Sequence, residues 1–310
     1  MTDSATARRL TIAVLTYRRP NDLADILPIL RTQIDGVAGV VDILVVDNDP
    51  DAGARTQVMT EARHAPIRYV HEPSPGIAAA RNRALDETRA DLLVFIDDDE
   101  RPTAAWLATL LATYERYRPV AVVGAVLSRY DTPPSRWVQA GRFFDRRRLP
   151  TGTPVTEAAT NNLLIDLAWV QARGLRFDGR FGLSGGSDSL FTRQVHALGG
   201  LMTWCDEAVV IDVVPPNRVT RSWVLRRAYR IGNASSRVRL DAATPGHRLA
   251  LRVGLLARGS ARLLAGSARC AAGFLTGQLV HRSRGMRTVA RGAGMVSGSL
   301  GATFSEYSRT

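Results

Sequence analysis

The chain has no lysine, only two cysteines and no glycine in the segment that follows its first predicted strand. All of its 41 basic residues are arginine, which we attribute to genomic composition. Cys205 and Cys270 lack the spacing of a metal or redox motif, which excludes a cysteine-based zinc site and is typical of a reducing compartment. Because Thr16–Pro20 contains no glycine, the G-x-G-x-x-G turn of dinucleotide-binding oxidoreductases is also excluded.

The chain also lacks a long run of apolar residues without charge. Residues 1–9 are polar and lead directly into a predicted strand, so we expect no secretory signal. Residues 245–274 contain no stretch of about 20 residues free of arginine, so we expect no membrane-spanning helix there. We therefore expect a protein of the cytoplasm or of the inner face of the cell membrane.

Positive charge is concentrated at the C-terminal end. Residues 221–310 contain 16 arginines and two acids, Asp241 and Glu306, whereas residues 1–220 contain 25 arginines and 27 acids. A length of 310 residues with 45% apolar composition is sufficient for one large domain and an appendage. We predict a catalytic domain over residues 1–240 and a helical, arginine-rich extension over residues 241–310.

The extension is predicted to form an amphipathic helix. Five arginines between residues 245 and 274 fall within an arc of about 120°, and the leucines are expected largely on the remaining surface. Such a helix either lies on an anionic membrane surface, or packs on the domain or in a homodimer. Few aromatics accompany the arginines, so we expect no nucleic-acid partner. The residues are Arg248, Arg252, Arg258, Arg262, Arg269, Leu249, Leu251, Leu255, Leu256, Leu263 and Leu264.

Strands and helices alternate along the first part of the chain. This alternation predicts an α/β fold with a mostly parallel sheet flanked by helices on both faces. Pro102 is expected in the first turn of a helix that ends near Tyr117. The predicted strands are Leu10–Leu15, Val41–Val46, Ile67–His71, Leu92–Ile96 and Ala121–Leu127.

Four consecutive acids, Asp97–Glu100, follow the apolar strand Leu92–Ile96. Adjacent carboxylates repel one another, and Mg²⁺ or Mn²⁺ between them with phosphate oxygens opposite would relieve that repulsion. A solvated acidic loop is the alternative. Ligands of parallel sheets bind at the carboxyl ends of strands, where Thr16–Tyr17, Asp47–Asn48 and Asp97–Asp99 are all expected.

The order of several motifs resembles the inverting family 2 glycosyltransferases of GT-A fold, over about residues 10–240. Within that family the chain is most similar to bacterial exopolysaccharide and cell-envelope glucosyltransferases. The resemblance implies a Rossmann-like GT-A domain, a nucleotide-sugar donor such as UDP-glucose, Mg²⁺ or Mn²⁺, and a glycan or lipid-linked acceptor. The motifs are V-L-T-Y-R-R-P (Val14–Pro20), V-V-D-N (Val45–Asn48), G-I-A-A-A-R-N-R-A (Gly76–Ala84), F-I-D-D-D-E (Phe95–Glu100), T-N-N (Thr160–Asn162) and G-G-S-D-S-L (Gly185–Leu190).

The resemblance assigns the donor site. Thr16, Tyr17 and Asp47 are expected to bind the base, with the Asp47 carboxylate accepting a uracil N–H, although an Asx turn would explain Asp47 and core packing would explain Tyr17. Arg81 is expected to contact the donor phosphates, and a solvated surface arginine is the alternative.

The same segments supply further donor contacts. Arg19, in the turn after the first strand, belongs to the donor site, and Asp98 is expected to contact the ribose or the metal. Asp97 supports the acidic loop, and Asn162, like Asn161, is a candidate for sugar hydroxyls, although asparagine is also common in turns.

The resemblance also implies the metal ligands and the base. Asp99 would coordinate the divalent ion. Asp212 stands where many relatives place a histidine, and it could contact the metal, the acceptor or neither of them. Asp188 would remove the proton from the acceptor hydroxyl, whereas an N-cap would explain it structurally. Its neighbour is Ser187, where the family usually has an acid.

Three further interpretations remain open at this stage. A sugar nucleotidyltransferase would explain the acids and the fold, but it should have a glycine-rich loop after its first strand. A non-catalytic peripheral membrane-binding protein would explain the arginine-rich end of the chain alone. The aromatic side chains of residues 129–154, Trp137, Phe143 and Phe144, either close over a ligand or cover a hydrophobic edge.

Overall fold

The computed structural model of the protein describes residues 8–304. These residues form two compact units. The first comprises the described residues up to Leu127 together with Arg147–Gly182 and Ser187–Asp212, and the second comprises Ser128–Arg146, Leu183–Gly186 and the described residues from Val213 onward.

The first unit is built on a mixed sheet of nine strands among the described residues. The strand order is β3-β2-β1-β4-β8-β6-β9-β5, and β7 pairs with β9. The strands are β1 (Arg9–Thr16), β2 (Val40–Asp47), β3 (Ile67–His71), β4 (Leu92–Asp97), β5 (Glu100–Pro102), β6 (Ala121–Tyr130), β7 (Pro154–Val155), β8 (Asn162–Asp166) and β9 (Met202–Val214).

The helices of both units are as follows. They are α1 (Pro20–Asp35), α2 (Arg55–Glu61), α3 (Ile77–Glu87), α4 (Trp106–Tyr117), α5 (Arg136–Gly141), α6 (Leu167–Gln171), α7 (Ser187–Ala197), α8 (Arg221–Asp241), α9 (Pro245–Leu275) and α10 (Leu279–Ser299), with 3₁₀ turns at Gly179–Phe181 and Pro216–Val219.

The sheet is mixed, and the parallel pairing that the strand and helix spacing predicts for most of it is found in one half. β1 pairs in parallel with β2 and β4, and β2 pairs in parallel with β3. Beyond β4 the pairing is antiparallel, between β4 and β8 and between β8 and β6. These non-local antiparallel pairings are not visible in the spacing of local elements.

Helices cover both faces of the parallel half. On one face, Ile12 and Val14 of β1 pack with Leu27 of α1 and Trp106 of α4. On the other, Ala13 of β1 packs in a cluster that includes side chains of α3 and α7. Burial on both faces explains why β1 has a continuous apolar sequence.

The expectation that Pro102 begins a helix is wrong. Glu100–Pro102 forms β5, which pairs with β9, and α4 begins only at Trp106. Proline is tolerated there because the sheet order ends at β5, and an edge strand leaves one side of its backbone unpaired.

In the second unit, α10 packs along both α8 and α9, whereas α8 and α9 contact each other little. Buried glycines allow the close approach of α9 and α10. A Cβ atom on Gly292 of α10 would lie 2.8 Å from the carbonyl oxygen of Gly259 on α9. A Cβ atom on Gly266 would lie 3.0 Å from the carbonyl oxygen of Gly285. The helical extension predicted from the sequence is therefore confirmed.

The leucines of α9 are divided between the interior and the surface of the second unit. Leu255 is fully buried with Met295 of α10, and Leu251 packs against the same cluster. Leu249 and Leu264, in contrast, are 72% and 74% exposed. Within residues 8–304, no helix combines the length and the apolar composition needed to cross a bilayer.

The aromatic side chains of residues 129–154 form a core within the second unit. Trp137 and Phe144 are buried with Val214 and Val224. Phe144 also stacks on Trp223, with ring centroids 6.0 Å apart. For Trp137 and Phe144, the interpretation that they cover a hydrophobic edge is therefore confirmed.

Candidate active site

The strand register brings the predicted polar clusters of the first unit together. Thr16 at the end of β1 is in register with Asp47 at the end of β2. Leu15 of β1 is in register with Asp97 at the end of β4. The carboxyl ends of these three parallel strands therefore meet at one edge of the sheet, which is where open α/β sheets bind ligands.

Arg19 connects the turn after β1 to the acids after β4. Its Nη1 donates to Asp98 Oδ1 at 2.7 Å and to Asp99 Oδ2 at 2.8 Å. Thr16 Oγ1 donates to the other carboxylate oxygen of Asp98, also at 2.8 Å. Arg19 and Thr16 therefore neutralise and orient the carboxylates, and the sequence places all four residues within the V-L-T-Y-R-R-P and F-I-D-D-D-E motifs.

The acids after β4 are crowded into a poorly solvated region. Burial, and then repulsion from Asp99, raises the pKa of Asp97 to about 7. Burial also raises the pKa of Asp98 to about 6, although Arg19 opposes the shift. Glu100 is fully enclosed, and burial followed by the charges of Asp97, Asp99 and Asp212 raises its pKa well above the ordinary value. Burial and mutual repulsion thus both disfavour the ionised forms of these carboxyl groups.

Glu100 was not assigned a role from the sequence, yet it links the acidic cluster to β9. It is in register with Asp212 across the β5–β9 pair. Its Oε1 accepts a hydrogen bond from Asn161, and its Oε2 is buried with no hydrogen-bond partner among residues 8–304. Its position in the F-I-D-D-D-E run was the available signal, but the pairing of β5 with β9 was not predicted.

This set of donors fits a divalent cation. Carboxylate oxygens are the preferred ligands of Mg²⁺ and Mn²⁺, and an added cation would lower the repulsion that raises these pKa values. Asp99 and Asp212 are both half-buried and retain access to solvent. Within residues 8–304, no three His, Cys, Asp or Glu side chains form a ready-made metal site, so further ligands would have to come from water or a phosphorylated donor.

Arg81 connects α3 to the beginning of α7. It is 8% exposed, and its Nη1 donates to Ser187 Oγ at 2.8 Å. Its guanidinium also lies over the ring of Phe177, 5.5 Å from the centroid. Ser187 stands where the family resemblance leads one to expect an acid, and here it accepts the hydrogen bond that positions Arg81.

Asp188 lies in the first turn of α7 and is half-buried. Its Oδ1 accepts a hydrogen bond from the backbone N–H of Ser189 at 2.8 Å. Asp188 is the second residue of α7 and its bond goes to the next residue along the chain, so this is not the N-cap contact weighed in the sequence analysis. The neighbouring Ser187 links this turn to Arg81 and therefore to the acidic region, because Arg81 lowers the pKa of Asp97 electrostatically.

The structure gives Asp47 a role within its own loop. The side chain is 1% exposed, and its Oδ1 accepts from the backbone N–H of Asp49. Its Oδ2 accepts from the backbone N–H of Ala54 and from the hydroxyl of Tyr69. These contacts are those of an Asx turn, the structural alternative for Asp47. Tyr17 is half-buried, and the Arg18 guanidinium lies beside its ring.

Asn162 differs most from the sequence-based expectation. It is 1% exposed, its Oδ1 accepts from Trp106 Nε1 at 2.8 Å, and its Nδ2 donates to the carbonyl oxygens of Ala125 and Ala208. These bonds join α4, β6, β8 and β9. The expected contact with a sugar hydroxyl is therefore replaced by a structural role.

Asn48, expected at the ligand-binding end of β2, has a structural role that the sequence did not predict. Its Nδ2 donates to the carbonyl oxygens of Glu72 and Ser74, and its Oδ1 accepts from the backbone N–H of Gly76. Gly76 has a φ of 113°, which favours glycine, and it directly precedes α3. Asn48 thus fixes the loop that leads into the helix carrying Arg81.

The fold is similar to that of solved glycosyltransferases. The mannosyltransferase PcManGT from Pyrobaculum calidifontis, solved in complex with GDP-Man and Mn²⁺, has a TM-score of 0.65 at 19% identity, covering 95% of this chain and 88% of its own. S. aureus TarS 1–349 in complex with UDP has a TM-score of 0.52 at 14% identity, covering 95% of this chain and 92% of its own. The chain thus has the GT-A fold of these enzymes.

Sequence comparison specifies the family. The profile described as "Glycosyl transferase family 2" matches residues 11–171. The succinoglycan biosynthesis protein ExoM of Rhizobium meliloti (strain 1021) is 32% identical over 294 residues, which cover 94% of this chain and 93% of ExoM. A pre-mycofactocin glycosyltransferase of Mycobacterium tuberculosis is 30% identical over 121 residues, or 35% of this chain and 25% of its own length. The chain belongs to glycosyltransferase family 2, which confirms the resemblance drawn from the motifs.

Proposed function

We propose that the protein transfers a hexose from a nucleotide sugar to a hydroxyl group of a glycan or lipid-linked acceptor, with inversion at the anomeric carbon. The observation that carries this proposal is the acidic cluster Asp97–Glu100 at the carboxyl end of β4, held by Thr16 and Arg19. UDP-glucose is the first donor to test. TarS was solved with UDP and with UDP-GlcNAc, and PcManGT with GDP-Man, which supports a nucleotide-sugar donor.

Asp99 and Asp212 would hold Mg²⁺ or Mn²⁺, and the Mn²⁺ in the PcManGT complex supports this choice of ion. When bound, the ion stabilises negative charge on the departing diphosphate. Arg81 and Arg19 would bind the donor phosphates through their guanidinium groups. Family membership and the absence of glycine from Thr16–Pro20 leave no support for the nucleotidyltransferase alternative.

Asp188 would act as the general base. As the acceptor oxygen forms its bond to the anomeric carbon, the bond from that carbon to the diphosphate oxygen breaks, and a carboxylate oxygen of Asp188 takes the acceptor proton. The serine at position 187 leaves Asp188 without the acidic neighbour typical of the family. In place of that acid, the side chain of Ser187 accepts a hydrogen bond from Arg81, next to Asp188 in the chain.

The test is calorimetric titration with UDP-glucose and other nucleotide sugars, with and without Mn²⁺, combined with a transfer assay. Asp99→Ala should abolish the metal-dependent part of donor binding. Asp188→Asn should retain donor and metal affinity but lower transfer by several orders of magnitude, on the order of 10²–10⁴. Asp86→Asn, which changes an exposed aspartate of α3, is the matched control. Unchanged turnover of Asp188→Asn would remove Asp188 as the base.

We also propose that α9 contacts an anionic membrane, at the inner face of the cell membrane. Its exposed face carries Leu249, Val253, Leu264, Phe274 and Leu275, which are 59–88% exposed. The surrounding residues 221–310 carry 16 arginines, which anionic lipid attracts by about 1 kcal/mol each near its surface. A second copy of the chain is the competing occupant of this face, and sedimentation at increasing concentration would reveal it.

A further inference from the structure

The second unit contains a cleft of about 440 Å³ that the proposed transfer reaction does not use. It lies between the end of α5 and the helices α8, α9 and α10. Asp145 is the only acid among the described residues that line it, and Phe143 forms part of its wall. Six arginines line the same cleft: Arg142, Arg227, Arg269, Arg284, Arg287 and Arg291.

Backbone contacts hold part of this arginine cluster in place. Arg284 Nε donates to the carbonyl oxygen of Ala140 at 3.1 Å, and Arg287 Nη1 donates to the carbonyl oxygen of Arg142. Arg142 ends α5 in the left-handed conformation, with a φ of 54°, and its Nε is paired with Asp145. Three of the six guanidinium groups are therefore held by other groups of the second unit, and the acid of the cleft is paired with one of them.

The arginines of α10 repel one another. Partial burial, followed by the charges of Arg284 and Arg291, lowers the pKa of Arg287. The pKa of Arg291 is lowered by desolvation and then by Arg262 and Arg239. A cluster that served only to solvate the surface would be expected to spread its charges apart. Here they converge on a concave site, where a bound anion would relieve the repulsion.

We propose that this cleft binds a diphosphate group. Planar guanidinium groups bind phosphate oxygens through paired hydrogen bonds, and six of them match two adjacent phosphates better than one small anion. The volume lies in the range of small-molecule sites. This inference goes beyond the proposed transfer, because the donor diphosphate is assigned to the acidic region of the first unit. The ligand carries its diphosphate either on a lipid or as a soluble anion.

The experiment uses the full chain in phosphate-free buffer freed of metals by a chelating resin, titrated with inorganic diphosphate. Without metal, the result does not depend on metal-assisted donor binding, so its failure and that of the transfer proposal are distinguishable. The wild type should bind diphosphate with an affinity that falls as salt is added. Arg287→Gln combined with Arg291→Gln should weaken binding by about tenfold or more, which is at least 1.4 kcal/mol.

The matched control is Arg252→Gln combined with Arg258→Gln, two exposed arginines of α9 outside the cleft. It should bind diphosphate as the wild type does. If the cleft variant fails to fold by circular dichroism, Arg291→Gln alone replaces it, because no backbone contact depends on that side chain within residues 8–304. No binding by the wild type, or an equal loss in the cleft and control variants, would overturn the proposal.

A vesicle sedimentation experiment then distinguishes a lipid-linked diphosphate from a soluble one. Neutral phosphatidylcholine vesicles with and without a polyprenyl diphosphate are sedimented with the protein. Binding that requires the lipid diphosphate, and that inorganic diphosphate displaces, supports the lipid source. Diphosphate binding in solution without vesicle binding supports the soluble source.

Discussion

Replacing Asn162 by alanine tests the role that the structure gives this residue. The side chain is 1% exposed and makes three hydrogen bonds, to Trp106 Nε1 and to the carbonyl oxygens of Ala125 and Ala208. The substitution removes the amide group and leaves one donor and two acceptors in a region without direct access to water. A donor-binding role would instead predict a loss of ligand affinity in a stable protein.

The expected loss of stability follows from these three partners. Each buried polar group left without a partner costs about 1–3 kcal/mol. A water molecule in the vacated space would recover part of this energy, so we expect a decrease of roughly 3–6 kcal/mol in the free energy of unfolding. Asn161→Ala, at the neighbouring position, removes the hydrogen bond from Asn161 to Glu100 and should cost only about 1–2 kcal/mol.

The assay is urea unfolding followed by circular dichroism, with donor binding measured on the same preparations. The midpoint of Asn162→Ala should lie well below that of Asn161→Ala, and any folded Asn162→Ala protein should bind donor with nearly unchanged affinity. Wild-type stability combined with lost donor affinity would refute the structural role and restore the sugar contact.

Three further experiments test the packing of α9 and α10, the contact of α9 with a membrane, and the binding of donor phosphates by Arg81. Gly292→Leu should destabilise the protein by about 1–3 kcal/mol or more, because a Cβ would lie 2.8 Å from the Gly259 carbonyl oxygen. In the control Gly254→Ala, the added Cβ meets nothing within 4 Å, so this change should stabilise the protein by about 0.5–1 kcal/mol. Equal changes in the melting temperature of the two variants would contradict the packing argument. Leu264→Glu should weaken sedimentation of the protein with anionic vesicles. The control Leu201→Glu, at an exposed leucine of the first unit, should not. Equal vesicle binding by the two variants would count against α9 as the membrane contact. Arg81→Lys should weaken donor binding by about tenfold, since lysine cannot reproduce a planar guanidinium, and wild-type titration curves would exclude Arg81 from the phosphate site.

Much of the first unit was predictable because its signals are local. Alternating apolar strands and helices specify the parallel half of the sheet, and polar residues directly after β1, β2 and β4 specify where a ligand binds. The convergence of Thr16, Asp47 and Asp97 follows from strand register alone. The family likewise followed from short motifs whose order is fixed in the chain.

Other features depend on partners that lie far away in the sequence. Pro102 was expected in a helix, but it lies in β5, which pairs with β9. The burial of Leu255 likewise depends on Met295 of α10, 40 residues further along the chain. Nothing near Asn162 in the sequence indicates that Trp106, Ala125 and Ala208 surround its amide.

The sequence by itself determined the order of the elements, the chemistry available at the strand ends and the charge of the C-terminal helices. Tertiary structure decided which of those groups are already bonded to other parts of the protein, as it did for Asp47. The physical reason is that secondary structure and charge are set by neighbours along the chain. Burial, register and hydrogen-bond pairing are set by neighbours in space.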